Sequence, residues 1–307
     1  MRSGSRRRCA RGSIRATRPI EAIAGVIEEK AYAKINLALH VRNRRPDGFH
    51  ELESLFAFAE DGDLLRASAR DDGAIHLSID GPFAQGLEAG AGNLVVQAAL
   101  ALKSASGTGN GADIRLTKNL PIASGIGGGS ADAAAALRLL DRLWGLGSGR
   151  DALLAIADPL GSDVPACLVS RTLVGTGRGE ALDVRDLPGL AGAPLLLVNP
   201  GVALSTGPVF RGWDGVDRGA LDASRLDAIA GEGRNDLQPP AIALVPEIGE
   251  VIGALKGCAG LSLARMSGSG ATCFALFADA AARDEAAARI GTDHPRWWIM
   301  ATRIRGE

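Results

Sequence analysis

The chain has little of what metal or disulfide chemistry requires. Its 307 residues include four cysteines (Cys9, Cys167, Cys258 and Cys273) with no C-x-x-C pair, and four scattered histidines. That excludes a zinc site by spacing and a disulfide scaffold, and it fits free thiols in a reducing cytoplasm. Aromatic residues are only 4%. A basic face is missing from the body of the chain. Seven arginines and no acid fall within the first 20 residues, so the remainder, which carries all 35 carboxylates, is acidic. An acidic body argues against a nucleic-acid partner. The one long uncharged run, 187–210, holds four prolines and four glycines, which excludes a membrane helix. The basic leader, residues 1–27, has no apolar run of signal-peptide type. It reads as a disordered extension, with an organellar address or a nucleic-acid arm as the alternatives.

Glycine is plentiful, and its densest cluster is the most informative segment. Pro121, Ile122, Ala123, Ser124, Gly125, Ile126, Gly127, Gly128, Gly129, Ser130 and Ala131 lead into an Ala- and Leu-rich helical run that extends to Trp144. Glycines tolerate positive φ and let backbone N–H groups converge on an anion. A helix opening directly afterwards adds unpaired N–H donors and the positive end of its dipole. Together these features make a phosphate site. Ser130 is placed to cap the helix, with Asp132 in its first turn. No Lys follows the glycines, so the loop is not a Walker A motif, and the spacing does not fit a dinucleotide fingerprint.

Strands and helices alternate along the chain. Residues 30–42, 74–79 and 113–117 alternate as strands, and Pro46-Asp47-Gly48 marks a turn. The segment ELESLFAFAE (51–60) fits either period. Helices are expected at 93–103 with Asn93 as N-cap, at 151–157, 247–256 and 279–290. Strands LLLVN and TCFALF and a last strand at 298–304 fall in the second half. Two α+β domains result, 28–184 and 185–307.

Three segments in order, AYAKINLALHVRNRRPDGFHEL (31–52), LPIASGIGGGSADAA (120–134) and ARMSGSGATCFALF (264–277), with GSDVP at 161–165, resemble the GHMP small-molecule kinases. The resemblance covers about residues 30 to 300. The first segment is most similar to the branch of that family acting on 4-diphosphocytidyl-2-C-methyl-D-erythritol. Ile126 stands where Leu is usual, Ala131 where Ser is common, and Phe49 where many relatives carry Tyr.

The resemblance implies a ribosomal-protein-S5-like N-terminal domain and a ferredoxin-like C-terminal domain with the active site between them. It implies ATP and Mg²⁺ as cofactors and a small-molecule acceptor phosphorylated on its 2-hydroxyl. Asp163 takes the position of the catalytic base, and Lys34, on an otherwise apolar strand, pairs with it. Asn36 joins that polar cluster and contacts substrate. Phe49 and Phe210 are placed to stack on the cytosine, with His50 reading its edge. Asn93 and Lys118 lie near the nucleotide. With no carboxylate obvious as a metal ligand, Mg²⁺ is held largely by phosphates and water, with the Ser130 hydroxyl as a further ligand. The SGSGA loop, 267–271, carries no catalytic group, and its small residues let the second domain approach the glycine loop. The expected state is a cytoplasmic monomer or weak homodimer. Another kinase of the family, or a non-catalytic nucleotide-binding regulator, is the alternative.

Overall fold

The computed structural model describes residues 25–306. The arginine-rich leader lies outside the described residues except for its last three positions, and Ile27 already opens the first strand. Two long antiparallel strands, β1 (Ile27–Arg44) and β2 (His50–Arg70), form the spine. Their turn runs through Gly48 at φ +87°, and Arg45 N donates to Phe49 O at 2.8 Å. The ambiguous segment 51–60 is strand. Its apolar residues are buried on both faces, which erases the period-two signal.

Around β2 lie β3 (Ile75–Asp80), β4 (Gly111–Thr117), β5 (Leu173–Gly177) and β6 (Ala181–Val184). The end of β2 pairs with β4 and its start with β5, giving the order β3-β4-β2-β5-β6 with β1 on the other edge of β2. Helices α1 (Leu94–Ser106), α2 (Gly128–Leu143), α3 (Arg150–Ala157) and α4 (Val164–Val169) pack against this sheet. The second half builds a four-stranded antiparallel sheet from β7 (Pro194–Asn199), β8 (Leu261–Met266), β9 (Cys273–Phe277) and β10 (Trp298–Arg303), in the order β10-β7-β9-β8. With it go α5 (Thr206–Arg211), α6 (Leu226–Gly231), α7 (Gln238–Leu244), α8 (Glu247–Lys256) and α9 (Ala280–Asp293).

The two sheets share a core, and that sharing positions the site. Ala33, Ile35 and Leu37 of β1 join Leu195, Leu197, Phe274 and Leu276 in one buried cluster. Each of the larger side chains among them contributes about 1.5–3 kcal/mol by leaving water. Because strand side chains alternate, the intervening Lys34 and Asn36 point the other way, into the cleft. The alanines of α2, Ala131 and Ala133 through Ala136, are buried, so the helix lies close on the sheet and its N-terminus stays level with Lys34.

The start of α2 departs from the sequence expectation. Gly127, in the left-handed region at φ +66°, is the cap residue, and no side chain caps the helix. Ser130 is the third residue of the helix and Asp132 the fifth, beyond the first turn. A left-handed cap residue is something glycine adopts without strain, so a serine cap is unnecessary and the first N–H groups stay unclaimed by a side chain.

Candidate active site

A cleft of about 1570 Å³ opens between the two halves, lined by the glycine loop, the strand carrying Lys34, and the β1–β2 turn. At its centre Lys34 Nζ lies 2.9 Å from Asp163 Oδ2 and 3.0 Å from Asn36 Oδ1, with the Phe56 ring 5.0 Å away. The Lys34 side chain is 5% exposed and that of Asp163 32%. A buried ammonium requires such partners. Lys34 therefore does not reach to bulk water from a strand edge. Asn36 in turn donates to Ser54 Oγ at 2.7 Å, and Ser54 donates to Ala38 O at 2.8 Å, which fixes the amide orientation.

Asp163 precedes α4 with φ −89° and ψ −12°, and its carboxylate makes no capping bond. A plain helix cap does not explain it. The far end of α4 is anchored by Arg138 of α2, whose Nη1 donates to Cys167 O at 2.9 Å and Leu168 O at 3.3 Å. Burial, and then the charge of Asp163, push the Cys167 thiol up to about 12, so this neighbour is no nucleophile at neutral pH.

The glycine loop passes directly over Lys34, whose N donates to Ile126 O at 3.0 Å. At Gly127 a Cβ would come within 3.1 Å of Lys34 Cε. The SGSGA loop closes on it from the other domain: Thr272 N donates to Ser124 O at 3.0 Å, and Ser267 Oγ donates to Gly125 O at 2.9 Å. Ser267 Oγ also accepts from Asn36 N at 3.2 Å. Small residues are required here, since a Cβ on Gly125 would fall 2.5 Å from Ser267 O. Ser267 thus links the strand of Lys34 and the glycine loop, although its motif carried no chemical signal of its own. Pro121, Ile122, Ala123, Ser124, Gly128, Gly129 and Ser130 all line the cleft, whereas Ile126 and Ala131 are buried in the core.

Beside the loop, Lys118 Nζ lies against Asp63 and 2.7 Å from Asp132 Oδ2. Asp63 Oδ1 also accepts from Asn119 N at 2.6 Å and Leu120 N at 2.9 Å, while Asp132 Oδ1 is buried without a partner. Burial opposes the charge on Lys118, but the two carboxylates outweigh it and raise its pKa. Burial pushes Asp132 up to about 8. Asp63 accepts from three donors, the Lys118 ammonium and two backbone N–H groups. The Lys118 ammonium is engaged by protein at the glycine-loop side of the cleft. Asn93 is similarly committed, its Oδ1 accepting from Val95 N at 2.9 Å as the α1 cap.

The far end of the cleft is aromatic. Phe49 is 56% exposed and faces the Arg178 guanidinium, 5.4 Å from its ring. His50 meets Phe210 at 5.0 Å between centroids, 34° apart, and Trp213 at 5.7 Å, 85° apart. Phe49 and Phe210 both line the cleft, with His50 against Phe210. Burial, reinforced by Arg44, lowers the His50 pKa, so the ring is neutral at pH 7. Arg178 and Trp213 were not legible in the sequence, since neither belongs to a motif. Among the described residues, no group of three or more His, Cys, Asp or Glu side chains could hold a metal ion, and no helix is long and apolar enough to cross a membrane.

Comparison with known proteins agrees with this architecture. Residues 93–171 match the GHMP kinases N terminal domain and residues 218–295 the GHMP kinases C terminal domain. The 4-diphosphocytidyl-2-C-methyl-D-erythritol kinase of Rhizorhabdus wittichii is 52% identical over 279 residues, covering 90% of this chain and 94% of that one. The enzyme of the same name from Sphingopyxis alaskensis is 49% identical over 294 residues, covering 92% and 100%. A crystal structure of 4-(cytidine 5'-diphospho)-2C-methyl-D-erythritol kinase superposes with a TM-score of 0.75 at 34% identity, covering 92% of this chain and all of that one. Homoserine kinase from Cytophaga hutchinsonii, at 20% identity and a TM-score of 0.70 over 94% and 98% of the two chains, shares the fold. This chain, with its two-domain α+β fold, belongs to the GHMP kinases and, within them, to the 4-diphosphocytidyl-2-C-methyl-D-erythritol kinase family.

Proposed function

We propose that this protein transfers the γ-phosphoryl group of ATP to the 2-hydroxyl of 4-diphosphocytidyl-2-C-methyl-D-erythritol, giving the 2-phosphate and ADP, in the non-mevalonate route to isoprenoid precursors. The observation that carries this reading is the 2.9 Å contact of Lys34 with Asp163 beneath the glycine loop. It supplies a proton acceptor where the loop supplies phosphate donors.

Phosphoryl transfer rests on positioning and charge stabilisation rather than covalent help. Asp163 takes the proton of the acceptor hydroxyl as that oxygen bonds to the γ-phosphorus and the bond to the β,γ-bridging oxygen breaks. Lys34 aims the carboxylate and offsets developing negative charge. Asn36, fixed by Ser54, orients Lys34 and reaches substrate. Backbone N–H groups of the loop between Ile122 and Ser130 receive the phosphates. Ser130, which lines the cleft beside the loop, would be the protein ligand of a Mg²⁺ held chiefly by phosphates and water. When bound there, it would supply charge neutralisation on the phosphate oxygens. Asn93 and Lys118 shape the nucleotide wall, Lys118 through its ion pairs.

The acceptor end favours a flat base over a sugar or an amino-acid alcohol. Phe49 and Phe210 offer ring faces, and a neutral His50 offers one donor and one acceptor nitrogen. The reading assigns 28–184 to nucleotide binding and catalysis and 185–307 to closing the cleft and completing the base pocket. The free thiols Cys167, Cys258 and Cys273 suit a cytoplasmic setting. The test is ³¹P NMR of the product formed from ATP, Mg²⁺ and the cytidyl acceptor. A new phosphomonoester on the 2-position is expected, and phosphorylation elsewhere or none would reject the reading.

A further inference from the structure

Trp213 is unexplained by phosphate chemistry and by the core alone. It follows α5 in a tight turn, its N donating to Phe210 O at 3.2 Å. Gly212 between them has no room for a side chain, since a Cβ there would fall 2.8 Å from Pro240. The turn delivers the indole edge-on to His50, while Phe210 lies against the same imidazole. Two aromatics of the second domain therefore grip one ring carried on the β1–β2 turn of the first.

The indole Nε1 of Trp213 is buried and has no hydrogen-bond partner among the described residues. Buried donors left unused are rare in folded proteins. Trp144 of the same chain shows how a purely structural indole behaves, with Nε1 donating to Gly111 O at 3.1 Å. Trp213 differs from it in lining the cleft as well as in its idle donor. A donor kept idle at the wall of a binding cleft is one whose partner arrives with the ligand.

We propose that Trp213 is a specificity-determining residue of the acceptor pocket. With Phe210 it fixes the ring plane of His50, so that the imidazole meets the base edge-on, and its own N–H is used in the acceptor complex. This rests on the acceptor reading above, in which the pocket takes a cytosine.

The test uses the full chain with cytidine 5'-diphosphate as probe, read by tryptophan fluorescence, and steady-state kinetics with the cytidyl acceptor. Cytidine diphosphate is expected to change the emission of the wild-type protein, and Trp213→Phe, which keeps a ring but removes the N–H, is expected to abolish that change. The KM for the acceptor should rise by about tenfold in Trp213→Phe, the equivalent of one hydrogen bond, and further in Trp213→Leu, with KM for ATP unaltered. No emission change in the wild type, or an unaltered acceptor KM in both variants, would overturn the proposal. So would an equal loss of affinity for ATP and acceptor with a lowered Tm, which would assign Trp213 to the core. Wild-type ADP release with the cytidyl acceptor is read separately. A wild type that turns it over beside a Trp213→Phe variant of normal KM retains the function and removes Trp213 from it.

Discussion

Lys34 and Asp163 meet at 2.9 Å although they come from opposite sides of the glycine loop, one from the interior of β1 and the other from the residue before α4. Gly127 makes the meeting possible. Its missing Cβ leaves the loop lying against the Lys34 side chain, so the cation is covered by the same backbone that is proposed to receive phosphate. The proposed proton acceptor, the cation and the proposed phosphate donors thus share one small volume, and each can be tested separately.

Asp163→Asn removes the proton acceptor while preserving size. We expect kcat to fall by at least roughly a hundredfold with KM for ATP little changed, as for loss of a general base. Steady-state kinetics at saturating acceptor check this, and near-normal turnover would take Asp163 out of the mechanism.

Lys34→Met should also lower kcat steeply, and its effect should not add to that of Asp163→Asn. Residues within one contact behave as a unit. A double-mutant cycle on kcat reads the coupling, and fully additive losses would show that the two act independently.

Glycine variants separate cradle from scaffold. At Gly128 a Cβ would lie 3.4 Å from Lys118 Nζ, an ordinary contact, so Gly128→Ala should fold with an unchanged Tm yet bind ATP more weakly, and Gly128→Val more weakly still. At Gly125, φ is +78° and a Cβ would strike Ser267 O and Gly270 O. Gly125→Ala should therefore lower Tm and part the two loops. Equal effects of the two alanine substitutions on Tm and on ATP affinity would count against this division.

Asp132 gives the chain a pH dependence. Its folded pKa, raised to about 8 by burial, exceeds the unfolded value of about 3.9. Between those values the folded state holds a proton the unfolded chain has lost, so this group makes stability fall as pH rises from about 4 to about 8. Asp132→Asn should flatten that slope. Thermal unfolding of both proteins across pH 5 to 8 is the check, and parallel curves would relocate the proton.

Phe49→Ala should raise KM for the cytidyl acceptor while leaving Tm nearly unaltered, because the ring is 56% exposed, with the Arg178 guanidinium 5.4 Å from it. A selective loss of ATP affinity would mean that the ring belongs to the nucleotide end.

Much of this arrangement was legible in the chain because the chemistry needs local patterns. Helix 247–256 showed itself through periodicity, and the α1 start through Asn93, whose side chain makes the expected bond. The glycine loop pointed to the phosphate site proposed above. Its cap did not follow the usual rule, because a glycine in the left-handed region took the place assigned to Ser130. The short helices α5, α6 and α7, of six or seven residues, are too brief to display a period. The link of Lys118 to Asp63 depends on the pairing of β2 with β4, where Leu64 opposes Thr117, and no single segment encodes that. Trp213 gave no sign because its role comes from contact with His50, far away in sequence.

The most direct measurement is ADP release from ATP and Mg²⁺ by the purified protein, comparing 4-diphosphocytidyl-2-C-methyl-D-erythritol with mevalonate, homoserine and galactose. Turnover with the cytidyl compound alone is the expected result. Turnover with another alcohol in its place would keep the glycine loop, Lys34 and Asp163 but contradict the base pocket, and silence with all four despite ATP binding would contradict catalysis itself.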